Sequence, residues 1–248
     1  MRIKLIACKV LTREVGLLSS KNSNFIDITW LRQGYHNEPK KLTKILQENI
    51  DRIDNDEDPF TCNDSIGRFD AIVLGYGLCS NGVCGVSSKK YPIVIPRAHD
   101  CISLLLGSKE RYKKHFDEYS GAIYWYSPGW IDNSMMPSKE RYEAAYRDYC
   151  ELYGEENAGF LMEAESGWYT GYKAAGYIKM PGISDDKYSA FTKKCADDLG
   201  WSFREFSGSN DLLTAMLNGE WDEERFLIVP PGNKAEPSFD ESIIKLEC

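Results

Sequence analysis

Short, continuous apolar runs alternate along the chain with longer segments in which apolar residues recur at helical spacing. A continuous apolar run is typical of a strand that is buried on both faces of a parallel sheet. Such runs lie at residues 70–75 and 91–96, and further strands are predicted at residues 3–8, 25–31, 121–126 and 226–229. Because helical segments separate most of them, the pattern predicts an α/β fold: a mainly parallel sheet with helices on both faces, compatible with two Rossmann-like halves.

Capping residues and glycines predict where the helices begin and end. Asn37 is a predicted N-cap, and the apolar stripe of the helix that follows it comprises Leu42, Ile45, Leu46, Ile50 and Ile53. A helix after residue 100 should break near Gly107, and another should run from a cap at Ser138 to a stop at Gly154. We predict an N-terminal half at 1–135 that carries the site and a C-terminal half at 136–248 that closes the crevice.

Composition narrows the class of function. The chain of 248 residues has 30 Lys and Arg against 38 Asp and Glu, a net charge of −8 that argues against a nucleic-acid partner. The first residues lack a signal-peptide core, and no apolar run is long enough for a membrane span, so we expect a cytoplasmic protein that does not bind membranes. In that reducing compartment, eight cysteines favour metal binding or catalysis over a disulfide framework.

Three cysteines follow the ends of predicted strands. Cys8 ends the first strand, Cys79 lies in the glycine-rich turn GYGLC after the third, and Cys101 follows the fourth in RAHDC. Ligands of such folds bind in the crevice outside the carboxyl ends of parallel strands. If these strands are neighbours, the three thiols converge there. The alternative is that Cys8 and Cys79 are small apolar fillers.

The segment around Cys101 adds groups with acid–base chemistry. Asp100 is a predicted N-cap, which places Cys101 in a first helical turn, where the exposed N–H groups favour a thiolate. His99 is a candidate proton carrier or fourth metal ligand, and we take His99 and Asp100 as the candidate catalytic residues. For substrate contacts we take Arg97 as an anion anchor, together with His36, Gly75 and Gly77 at the crevice.

Three readings of the thiols remain open. Cys8, Cys79 and Cys101 with one open position suit a 4Fe–4S cluster whose fourth iron acts on a small-molecule substrate, whereas the same thiols with His99 suit zinc. The third reading is a metal-free module. No C-x-x-C, P-loop or hydrolase motif is present, and GYGLCS lacks the third glycine and following helix of a dinucleotide fingerprint.

The segments GYGLCSNG, IPRAHDCISLLLGSKERY, SPGW and NGEWDEERFLIVPPG resemble the family known only as domain of unknown function 1638. That resemblance implies a protein of methanogenic archaea and anaerobic bacteria, associated with corrinoid-dependent methyltransferase and methylamine systems, and it implies no activity. The family pattern includes the positions that are here Cys8, His36, Cys79, His99, Asp100 and Cys101. We therefore predict an enzyme or accessory factor of anaerobic one-carbon metabolism, with a small molecule or a corrinoid protein as partner.

Overall fold

The computed structural model describes residues 1–58, 69–183 and 186–247. The chain divides into two compact units: Met1–Tyr112 together with Ser209–Cys248, and Lys113–Gly208. We call them the first and second units. In the described part of the chain, no helix is both long enough and apolar enough to cross a membrane.

A five-stranded sheet forms the centre of the first unit. Its strands are β1 Arg2–Cys8, β2 Phe25–Leu31, β3 Ala71–Gly75, β4 Ile93–Pro96 and β8 Phe226–Val229. Their spatial order is β2-β1-β3-β4-β8, and every neighbouring pair is parallel except β4 with β8. The predicted α/β class with a mainly parallel sheet is therefore confirmed. A hairpin of β9 Ala235–Pro237 and β10 Ile244–Leu246 follows β8.

Strands β3 and β4 are apolar throughout because both of their faces are covered. Residues 71–75 and 93–96 are buried at every position, as are all residues of β1 after Arg2. The helices of this unit are α1 Thr12–Ser19, α2 Pro39–Asp54, α3 Cys101–Leu106 and α9 Asp211–Asn218. Of the predicted stripe on α2, Leu42, Leu46, Ile50 and Ile53 are buried.

The second unit is built on a parallel three-stranded sheet in the order β5-β6-β7. Its strands are β5 Ile123–Tyr126, β6 Ala174–Lys179 and β7 Ser202–Ser207. Its helices are α5 Pro128–Asn133, α6 Lys139–Tyr153, α7 Glu155–Ser166 and α8 Asp186–Leu199, while α4 Lys109–Tyr119 begins in the first unit and ends in the second. Tyr126, Tyr177 and Cys195 belong to its core.

Helix boundaries largely follow the predicted caps. Gly107 has φ 88° and ends α3, and the Ser138 side chain accepts a hydrogen bond from the backbone N–H of Arg141 at the start of α6. The predicted cap at Asn37 is wrong, because Asn37 lies in a 3-10 turn and Glu38 occupies the cap position of α2 without a side-chain hydrogen bond.

The division into units differs from the predicted halves at 1–135 and 136–248. Residue 135 falls inside the second unit, and the chain returns to the first unit at Ser209. The physical reason is β8, which pairs antiparallel with β4 through contacts such as Ile93 with Val229. The second unit is therefore an insertion between β4 and β8 of the first.

Candidate functional site

Three cysteines follow three adjacent parallel strands of the first unit. Strand β3 lies between β1 and β4, so their carboxyl ends share one edge of the sheet. Cys8 is the last residue of β1, Cys79 follows the end of β3 at Gly75, and Cys101 is the first residue of α3 after β4. We call this edge, with the turns that leave it, the carboxyl edge.

The turns after β3 and β4 are joined by backbone hydrogen bonds. The N–H of Leu78 donates to the carbonyl of Ala98 at 2.7 Å, and the N–H of Cys79 donates to the carbonyl of His99 at 3.0 Å. Gly77 permits this approach, because a Cβ atom there would lie 2.6 Å from the backbone nitrogen of Asp100. Cys79 is thus held beside the start of α3 by the main chain.

Gly75, the last residue of β3, also permits close packing, in its case against β1. A Cβ atom at Gly75 would lie 2.6 Å from the Cβ of Ala7, its partner in the β1–β3 pairing. The predicted substrate contacts of Gly75 and Gly77 stay predictions; what the structure gives both glycines is close backbone packing at the carboxyl edge.

The backbone at Cys79 is strained. Cys79, Ser80 and Asn81 have φ of 47°, 56° and 69°, so three successive non-glycine residues occupy the left-handed region. Each such residue costs roughly 1–2 kcal/mol relative to right-handed backbone, with asparagine the most tolerant. Hydrogen bonds from Gly82 N to Cys79 O and from Cys84 N to Asn81 O, both 3.0 Å, hold the turn. Residues in sparsely populated conformations cluster at functional sites.

Asp100 caps α3 as predicted. Its Oδ1 accepts hydrogen bonds from the backbone N–H groups of Ile102 at 3.0 Å and Ser103 at 3.1 Å. Burial raises the pKa of the Asp100 carboxyl, while the hydrogen bonds from Ser103 and Ile102 oppose that rise. This cap therefore sets Cys101 as the first residue of α3.

The three cysteines of the carboxyl edge all act electrostatically on one buried residue, Tyr76. Tyr76 is 4% exposed and immediately follows β3. Burial raises the pKa of its phenol strongly, and the nearby thiols of Cys8, Cys79 and Cys101 add to that rise, as does the hydroxyl of Tyr35. All three thiols are thus close enough to one buried hydroxyl to act on it electrostatically.

Two of the thiols are kept protonated by their surroundings. Burial raises the pKa of Cys8 to about 11, and burial together with Asp100 and Cys8 raises the pKa of Cys79 to about 12. Hydrogen bonds from the backbone at Val10 and Gly77 oppose these rises at Cys8 and Cys79 respectively. An isolated nucleophilic thiolate is therefore disfavoured at both positions at neutral pH.

The predicted histidines differ in placement. His36 lies in the 3-10 turn Tyr35–Asn37 that follows β2, partly buried, and burial lowers its pKa while Asp100 opposes that shift. Asp100 is thus a shared electrostatic neighbour of His36 and Cys79. The side chain of His99 is exposed, with its ring centroid 6.4 Å from that of Tyr112.

Arg97 has structural partners in the C-terminal segment. Its Nε donates to the carbonyl of Glu223 at 2.8 Å. Its Nη1 donates to the carbonyl of Ser242 at 2.8 Å and to that of Ile244. These bonds tie the end of β4 to β10, and the predicted role of Arg97 as a substrate anchor stays a prediction.

Within residues 1–58, 69–183 and 186–247, no three His, Cys, Asp or Glu side chains are placed to hold a metal ion as they stand. A single ion at the carboxyl edge would thus require the thiols to move closer together. Of the remaining described cysteines, Cys195 is 1% exposed in the core of the second unit, and Cys84 is partly buried near Glu236.

Sequence reasoning missed Tyr76 and Tyr35 as members of the site. The signal for Tyr76 was its place between Gly75 and Gly77 directly after a buried strand.

A family model described as "Protein of unknown function (DUF1638)" matches residues 30–217 of the chain. This range contains the turns of the carboxyl edge after β3 and β4, although Cys8 precedes it. No curated protein and no solved structure matches the chain.

Proposed function

The chain belongs to the DUF1638 family, and we propose that its carboxyl edge holds a metal centre, a 4Fe–4S cluster bound by Cys8, Cys79 and Cys101. The observation that carries this proposal is the shared electrostatic contact of all three thiols with the hydroxyl of Tyr76. Three thiols that follow adjacent strand ends and act on the same buried hydroxyl would form a donor set for a soft, sulfur-binding metal centre.

The electrostatics of the thiols support a positively charged occupant. Cys8 and Cys79, with pKa values raised to about 11 and about 12, remain neutral at pH 7 unless a cation compensates the thiolate charge. A coordinating metal deprotonates a thiol outright. The backbone hydrogen bonds at Val10 and Gly77 favour the thiolate forms as well, and hydrogen bonds to sulfur are a regular feature of iron–sulfur sites.

A cluster suits this edge because its ligands need not meet at one point. In a cubane cluster each thiolate binds a different iron, so three thiolates surround a volume and leave one iron open. When bound, such a centre would supply a Lewis-acidic iron to a small oxygen- or sulfur-bearing substrate. The left-handed backbone at Cys79 and the main-chain contacts at Gly77 would hold one ligand in place before the centre binds.

Neighbouring residues have assignable roles in this proposal. His36, whose lowered pKa keeps its imidazole neutral at pH 7, is placed by its turn after β2 to accept or return a proton at the same edge. Asp100 fixes the start of α3, and His99, with an exposed side chain, would exchange protons with solvent. The link to corrinoid methyl metabolism rests on the resemblance alone and stays a prediction.

The test is the metal content of protein purified without oxygen. We expect about four irons and four acid-labile sulfides per chain and broad visible absorption. Cys79→Ser should lose both iron and colour. Cys84→Ser is the matched control, because Cys84 is a partly buried thiol of the same glycine-rich turn and should leave the iron content unchanged.

Three results would overturn the cluster. One zinc per chain without colour would keep the site but change its chemistry to that of a Cys3His centre with His99. A well-folded wild-type chain without metal, or a Cys79→Ser variant with as much iron as the wild type, would leave the thiols as packing and favour a metal-free binding module.

A further inference from the structure

The hydroxyl of Tyr76 has no hydrogen-bond partner among the described residues, although it is completely buried. A buried hydroxyl normally finds a partner, because burying it without one loses its hydrogen bonds to water. Tyr76 stands between Gly75 and Gly77, where an added Cβ would lie 2.6 Å from the Cβ of Ala7 and 2.6 Å from the backbone nitrogen of Asp100 respectively. The main chain on both sides of the tyrosine is therefore closely packed.

Thiols predominate among the groups that act electrostatically on this hydroxyl. These groups are the thiols of Cys8, Cys79 and Cys101 and the hydroxyl of Tyr35. A phenol keeps its proton at neutral pH, so the Tyr76 hydroxyl is available as a donor. This buried donor lies near three potential metal ligands and has no acceptor among the described residues.

We infer that Tyr76 donates a hydrogen bond to a sulfur atom of the centre bound by Cys8, Cys79 and Cys101, and thereby raises the reduction potential of that centre. This inference rests on the proposed function. A hydrogen bond to sulfur is stronger when the centre carries more negative charge, so it stabilises the reduced state over the oxidised state. Tyr76 is thus a positioning and tuning residue rather than a ligand.

The test compares Tyr76→Phe with the wild type after anaerobic purification, by iron content and by one-electron titration with dithionite. We expect unchanged iron and a reduction equilibrium about tenfold less favourable, which corresponds to a potential about 59 mV more negative for a one-electron couple. The metal-free variant should unfold at no lower temperature than the metal-free wild type, because the deleted hydroxyl has no protein partner.

Tyr126→Phe is the matched control. Tyr126 is equally buried, but its hydroxyl donates to the carbonyl of Pro137 at 2.9 Å in the second unit. This variant should unfold at a lower temperature and leave the potential unchanged. Comparison of Tyr76→Phe with Tyr126→Phe distinguishes the effect of losing any buried hydroxyl from the effect of losing a hydrogen bond to the centre.

A second variant should shift the reduction potential in the opposite direction. 3-Fluorotyrosine incorporated at position 76 keeps the shape of the ring and makes the hydroxyl a stronger donor, so the potential should rise. Unchanged iron with an unchanged potential in Tyr76→Phe, or a potential that falls with 3-fluorotyrosine, would overturn the inference. A wild-type chain without iron would instead overturn the proposed function, and the initial iron assay distinguishes the two failures.

Discussion

Gly77→Ala is the substitution that most directly tests how the carboxyl edge is built. The added Cβ would lie 2.6 Å from the backbone nitrogen of Asp100, 2.7 Å from its Cα and 2.8 Å from the carbonyl oxygen of Ala98. All three atoms belong to the main chain, so no side-chain rotation relieves the contact. The turn after β3 must move away from the turn after β4.

The expected cost follows from what that movement breaks. Overpacking a tight site costs about 1–3 kcal/mol, and each of the hydrogen bonds from Leu78 and Cys79 to the opposite turn contributes about 1 kcal/mol. We expect the free energy of unfolding to fall by about 3 kcal/mol. Displacement of Cys79 from Asp100 should also abolish iron binding in the folded variant.

Urea unfolding of the metal-free variant measures this cost. Gly16→Ala is the control, because Gly16 lies within α1 of the same unit and a Cβ there meets nothing within 4 Å. Alanine is the better helix former by about 1 kcal/mol, so this control should be more stable than the wild type. If Gly77→Ala costs less than about 0.5 kcal/mol, on the scale of an ordinary surface substitution, the close contact between the two turns is refuted.

Asp27→Asn should lower the free energy of unfolding by about 1 kcal/mol in urea, because it weakens one contact of the buried Lys4 ammonium, 2.9 Å from Asp27, while the ion pair of Lys4 with Asp58 remains; a loss within the error of the measurement would contradict the contact with Asp27. Asp100→Ala should cost about 1 kcal/mol by the same assay through loss of the helix cap, and Asp100→Asn should recover most of it. In the folded metal-free chain the pKa of Cys79 is raised to about 12, whereas in the unfolded chain it stays near 9.0. Above pH 9 the unfolded chain therefore loses this proton and the folded chain keeps it. The free energy of unfolding should then fall by about 1.4 kcal/mol per pH unit for this thiol. Unfolding curves at pH 8 to 10.5 measure this slope in the wild type and in Cys79→Ser. The slope of the variant should be shallower, and equal slopes in the two proteins would refute the raised pKa of Cys79.

The local features of the carboxyl edge could be predicted from the sequence because they depend on short segments. The apolar runs predicted β1, β3 and β4, and the cap at Asp100 and the break at Gly107 are confirmed. The sequence left open whether β1, β3 and β4 are neighbours, and the structure places β3 between the other two.

Long-range contacts account for what could not be predicted. The antiparallel return of β8 beside β4 makes the second unit an insertion, and no local pattern distinguishes such a return from a further parallel strand. The packing of Gly77 against Asp100 joins residues 23 positions apart. A glycine after a strand looks the same in sequence whether it makes room for a ligand or for another backbone.

Three features of the carboxyl edge favour the proposed metal centre over simple packing of the thiols. Buried cysteines alone would account for the raised pKa values of Cys8 and Cys79, since a protonated thiol packs well in a core. Packing gives no reason for three left-handed residues beginning at Cys79, nor for a buried Tyr76 hydroxyl without a partner. The proposed centre would use all three features: it would deprotonate the thiols, need Cys79 fixed in place, and offer the hydroxyl an acceptor.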